Sequence, residues 1–184
     1  MSALLRVADL VDAITRGAGR LAAALLLVLI ALVFHNALGR YAFGGSAVWA
    51  QELEWHLLLV CALIGVTVLM LEHGHVRVDM LYERLPERVR HAFDAVSMLL
   101  GAAVALMLIR YSIGFVDSAW STREGSPDPG GLPGRYLLKT AVPVLLGLLA
   151  AQCLANAVRH VAALRADGAG EGPEGGAPSD GRAR

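Results

Sequence analysis

Charged side chains are what this sequence has little of: Asp, Glu, Lys and Arg make up 17% of its 184 residues, against 56% hydrophobic. A soluble domain has roughly a quarter of its residues charged, and with a mean hydropathy of +0.56 the chain reads as a membrane protein. Its 16 basic residues balance 16 acidic ones, so no net field points toward nucleic acid. Cysteine is nearly absent. Cys61 and Cys153 each stand alone inside an apolar run, without metal or redox spacing, and read as small hydrophobes. The sequence also lacks a phosphate-binding glycine loop, a nucleophile elbow and an HExxH zinc motif. An enzyme reading therefore has no residues to stand on, and no cofactor or metal is called for.

What is present is long apolar runs. Leu21 to Phe34 is unbroken and is bracketed by Arg20 and Arg40. About 20 helical residues cross a hydrocarbon core of roughly 30 Å, so a first span is expected over about 18–38. Its rival, a cleaved signal peptide, is set aside because the preceding polar region is long and contains Asp9 and Asp12. Further runs predict spans over about 53–71, 93–116 and 136–158. Backbone groups in lipid must bond internally, so all four are helices and the fold class is all-α.

Basic residues near span ends set orientation, because they are retained on the cytoplasmic side. Arg6, Arg16, Arg20, Arg77, Arg84, Arg88, Arg90, Arg159 and Arg165 fall on one side, and only Arg40, Arg123, Arg135 and Lys139 on the other. Both termini are thus expected in the cytoplasm. Arg110, late in the third span, is expected to snorkel toward the outer interface.

Outside the spans, Leu4, Val7, Val11 and Ile14 fall at helical spacing, with Arg6, Asp9, Asp12 and Arg16 on the other face. This segment is either an amphipathic helix resting at the cytoplasmic interface or the solvated start of the first span. Pro86 and Glu87 suit the first turn of a helix. Ser126 to Gly131 is dense in turn residues and predicts an outer loop without helix. Residues 1–165 form the transmembrane domain on this reading. The Gly-rich segment 166–184 is expected to be a disordered cytoplasmic tail.

Glu52, Glu54, His56, Glu72, His73, His75, Asp79 and His91 could in principle build a metal or proton-transfer site, but they concentrate at helix ends, where water is available. Two histidines support an alternative. His35 and His56 lie at similar depth, and two imidazoles can ligate one haem iron, as in a four-helix anchor of a respiratory oxidoreductase. Trp49 and Trp55 mark the outer interface, and Arg40 either pairs with Glu52 or is solvated beside it.

Several short stretches, in this order and spacing, carry a resemblance. They are Arg40-Tyr41, Trp49 followed by Glu52-Leu53, His75-Val76-Arg77-Val78-Asp79, Glu124 to Pro133, and Pro143 in the fourth span. From about Gly17 to Arg159 the chain resembles the small membrane subunit of tripartite ATP-independent periplasmic (TRAP) transporters, the DctQ family. The resemblance implies a subunit of the bacterial inner membrane that works with a large membrane subunit and a periplasmic solute-binding protein. It implies ion-driven symport, commonly of organic acids, with the small subunit as a scaffold. Arg40, Trp49, Glu52, His75, Arg77, Asp79 and Glu124 are then the expected partner-interface residues. Small residues at Gly101, Ala102, Ala103, Ala105, Gly147, Ala150 and Ala151 offer surfaces for close helix contact, within the subunit or against a partner.

Overall fold

A computed structural model describes residues 2–45, 47–72 and 86–170, and the observations below concern these. The segment 73–85, which holds His75, Arg77 and Asp79, lies outside the described residues, as does 171–184. Four helices account for almost all of the rest: α1 (Ser2–Phe43), α2 (Val48–Leu71), α3 (Glu87–Ser121) and α4 (Arg135–Gly170). All four are long and apolar enough to cross a membrane, as the hydropathy pattern predicts.

α1 has 42 residues, about 63 Å at 1.5 Å per residue, roughly twice a hydrocarbon core. Of the two expectations for the amphipathic segment, the structure has it as the start of the first span. No break separates the two, because nothing between Ser2 and Phe43 interrupts the backbone ladder. α4 likewise continues to Gly170, past the point where the tail was expected to begin.

The helix ends follow local chemistry. Pro86 precedes Glu87 as N-cap of α3, its carbonyl accepting the Val89 and Arg90 amides at 2.9 and 3.1 Å, and Glu87 favours the positive pole of the helix. α3 stops in a Schellman turn: Glu124 N–H donates to the Ala119 carbonyl at 3.0 Å and Arg123 N–H to that of Trp120 at 3.2 Å. Arg123 takes the left-handed position usually given to glycine, with φ 46°. Between α3 and α4 the expected turn-dense segment is indeed free of helix.

The helices alternate in direction, so the bundle has two ends, named here by Glu52 and Arg159. α4 is the hub: α3 packs along it, and α1 and α2 both reach it while also packing on each other. Met98 and Ala102 of α3 meet Cys153 and Ala157 of α4 in the buried core, flanked by Met70 and Leu149. The small residues of α3 and α4 are therefore spent chiefly within the subunit. Ala102, Ala105 and Ala150 are buried, and a Cβ on Gly101 would stand 3.4 Å from Cys153 Sγ. α1 and α2 approach as closely at Gly19, where a Cβ would lie 2.9 Å from Val68 Cγ2. The outer surface is apolar, with Leu27, Phe34, Leu100 and Val144 among many exposed large side chains. Lipid or another membrane protein satisfies such a surface, and water does not.

Candidate partner interface

At the Glu52 end, α2 starts at Ala47 without a side-chain cap, which leaves Glu52 free to turn toward the α3–α4 loop. Its carboxylate accepts the Ser126 hydroxyl on one oxygen and the Leu132 amide, at 2.6 Å, on the other. Glu52 is only 5% exposed. A carboxylate so bonded holds both strands of a loop that otherwise closes on itself through Ser126 N–H to Leu132 O, 3.1 Å. Gly131 makes this approach feasible, since a Cβ there would collide with Ser126 and come within 2.9 Å of Glu52 Oε2.

The rest of this end is tied in the same way. Asn36 of α1 donates to Glu54 of α2 at 3.0 Å. Glu124 pairs with Lys139, whose ammonium lies 3.8 Å from the Phe115 ring centroid. Trp120 donates to Thr140 Oγ1 at 2.7 Å and meets Tyr136 edge-on. Glu52 thus turns to the loop, and Arg40 and Trp49 remain exposed.

At the Arg159 end the polar groups of three helices converge. Arg159 donates to Asp12 at 2.8 and 3.1 Å and to Asp9 at 3.0 Å. Gln152 donates to Asp12 at 2.9 Å and to Asn156 at 3.3 Å, and accepts from Thr15 at 2.8 Å. Asn156 reaches the Met70 carbonyl at the end of α2, 2.7 Å away. Thr15, Gln152 and Asn156 are wholly buried. Nearby, His91 of α3 and His160 of α4 contact through Nδ1 at 3.2 Å, with Asp94 3.9 Å from His160.

Sequence reasoning treats Asp9 and Asp12 as a solvated helix face and Arg159 as an orientation marker, and passes over Thr15, Gln152 and Asn156. One signal is available: Gln152 and Asn156 are four apart, on one face of an otherwise apolar span. Ser126 gives none, since its partner is 74 positions away.

The arrangement ties helix to helix and helix to loop. Among the described residues no cluster of three His, Cys, Asp or Glu side chains could hold a metal ion. For the haem alternative, His56 Nδ1 donates to the Glu52 carbonyl at 2.6 Å, while His35 is exposed on α1.

Comparison with known proteins does not favour that alternative. Residues 9–163 match the family described as tripartite ATP-independent periplasmic transporters, DctQ component. Over 125 residues the chain is 22% identical to the sialic acid TRAP transporter permease protein SiaT of Haemophilus influenzae, covering 68% of this chain and 20% of that protein. Over 103 residues it is 26% identical to the C4-dicarboxylate TRAP transporter small permease protein DctQ of Vibrio cholerae, covering 53% of this chain and 44% of that protein. The match thus spans less than half the length of either relative. Because the family match runs from the first half of α1 to the last turns of α4 and takes in both tied ends, the chain belongs to the DctQ family of TRAP transporter components.

Proposed function

We propose that this protein is the small scaffold subunit of a TRAP transporter in the bacterial inner membrane, with both termini in the cytoplasm. It packs beside a large membrane subunit that imports a solute delivered by a periplasmic binding protein and driven by an ion gradient. An organic acid is the solute class the family resemblance favours. The observation that carries the reading is where the polar side chains go. They fasten α1 and α2 to α4 at the Arg159 end, α1 to α2 and α2 to the α3–α4 loop at the Glu52 end, and α3 to α4 at both ends, and between the two ends the spans are almost free of charge. Substrate and ion pathways need ionisable or unwound elements at mid-depth. A static wall needs the opposite, a bundle that resists deformation.

On this reading Arg40 and Trp49 are available to a partner at the periplasmic face. Glu52 and Glu124 act there through the loop they hold, and His75, Arg77 and Asp79 serve at the cytoplasmic face. Reconstitution tests it. Proteoliposomes with the large subunit, the binding protein and this chain should accumulate solute when an ion gradient is imposed, and omitting this chain should abolish uptake while solute binding by the soluble protein is unchanged. Uptake at full rate without it would overturn the scaffold role. Reporter fusions should place the C-terminus inside and Pro129 outside, and the purified protein should be colourless in a reduced-minus-oxidised spectrum.

A further inference from the structure

We infer that the outward face of α3, from Ala103 to Gly114, docks against a transmembrane helix of the large subunit that presents a carboxylate level with Arg110. The inference rests on the scaffold reading and adds to it the contact face and its chemistry.

Arg110 is the one Asp, Glu, Lys or Arg in the apolar stretches Leu21–Gly39, Trp55–Leu71, Ala95–Val116 and Thr140–Val158. It is exposed, and it forms no ion pair or hydrogen bond with any described residue. Its depth follows from the pairing of α3 with α4. Gly101 lies against Cys153 and Trp120 against Thr140, and Arg110 stands about midway between those levels. That puts its Cα roughly 15 Å below Trp120 and about 10 Å below Asp117, at 1.5 Å per residue. A guanidinium at such depth is costly in lipid unless it snorkels or is paired.

Snorkelling is what the sequence alone predicts, and the helix direction opposes it. Side chains lean toward the N-terminus of their helix, and the N-terminus of α3 is at the Arg159 end. Arg110 therefore leans away from the Glu52 end, its nearer surface. A lipid phosphate is out of easy reach for the same reason. A second copy of this chain, meeting it face to face, would set Arg110 against a like charge.

The surroundings suit a helix. Ala103, Met107 and Gly114 share the face of Arg110 at seven and three residues before it and four after, and all three are exposed. The opposite stripe, Met98, Ala102, Ala105 and Ala119, is already buried. Small residues on either side allow close backbone approach, and Met107 adapts to an irregular partner. A carboxylate fits the planar fork of the guanidinium in two bonds, so it is the complement that pairs the charge completely.

The test uses the co-expressed complex with a photo-crosslinking amino acid at Met107 or Gly114, and Arg110→Leu, Arg110→Lys and Arg110→Glu variants. Crosslinks from both positions should reach the large subunit. Arg110→Leu should leave the melting temperature of the subunit alone unchanged or raised, since it removes an unpaired charge from lipid, yet cut co-purified large subunit about tenfold or more. Arg110→Glu should be worse, Arg110→Lys milder, and one Asp or Glu to Lys change in the large subunit should restore Arg110→Glu. Wild-type yields of complex with Arg110→Leu, or crosslinks only to lipid or to a second copy, would overturn the inference. If the large subunit co-purifies but neither position crosslinks to it, this face is wrong and the scaffold reading stands. Failure of the wild-type chain to co-purify it would remove the scaffold reading itself.

Discussion

Glu52 shows how much a single carboxylate can organise. It sits one turn into α2 and bonds to residues 74 and 80 positions away, so the loop after α3 is shaped by a helix it does not adjoin. Charge-assisted bonds to a carboxylate are shorter and stronger than those between neutral groups. Glu52→Ala should therefore raise hydrogen exchange at the Leu132 amide about 10- to 100-fold while leaving core amides of α3 and α4 unchanged. Unchanged exchange at Leu132 would mean the loop holds itself. Gln152 occupies the matching place at the other end, with its amide group shared among Thr15, Asp12 and Asn156. Gln152→Leu leaves these groups short of partners, and it should lower unfolding stability in detergent by about 1–3 kcal/mol. Cys153→Ala, one position on, removes only a buried thiol and should cost less.

At the scale of the elements, α4 decides the architecture because it faces three neighbours and the others do not. Pro143 lies inside it and removes the amide that would bond the Lys139 carbonyl, a defect placed near the loop where neighbouring polar groups are at hand. The four helices were legible in advance because lipid enforces long apolar runs, and the loop because Pro and Gly punctuate it. The connection of helix to helix was not. A hydropathy profile records where polar residues are allowed, whereas the ties between Asp12 and Arg159 or Glu52 and Leu132 depend on which faces meet after packing. The same limit left α1 open: its amphipathic start has the same pattern whether it lies on the membrane or stands against α4. Among the candidate interface residues, Glu52 and Glu124 are engaged within the subunit, Glu52 by Ser126 and Leu132 and Glu124 by Lys139, and those partners depend on packing that the sequence does not display. Glycine substitutions separate space from backbone angle in that loop. Gly130, with φ 81°, has open space where a Cβ would stand, whereas Gly131 has Ser126 and Glu52 in the way. Gly130→Ala should cost about 1 kcal/mol through the left-handed angle. Gly131→Ala should instead break the Glu52 contact, and added to Glu52→Ala it should have little further effect on Leu132 exchange.

For the whole molecule, the question is what keeps the first half of α1 upright beyond the apolar run that begins at Leu21. Helix propensity alone would let it bend away, since exposed charges contribute little in water. The fastening is Arg159, 27% exposed at its side chain, against Asp12 at 13% and Asp9 at 74%. The exposure tells which bond matters: the Asp9 contact is solvated and weak, whereas the Asp12 contact is shielded and also receives Gln152. A double-mutant cycle on Asp12→Ala and Arg159→Ala should give a coupling of about 0.5–3 kcal/mol, and a cycle on Asp9→Ala and Arg159→Ala clearly less. Limited proteolysis supplies the structural readout. Arg159→Ala should expose Arg6 and Arg16 to trypsin while the loop at Arg123 keeps its wild-type rate, because the tie at the Glu52 end is independent. If cleavage rises equally at both ends, the two clamps are one cooperative unit and the subunit loosens as a whole. If it rises at neither, apolar contacts of Ala8 and Ala22, both buried, hold α1 in place without the charges.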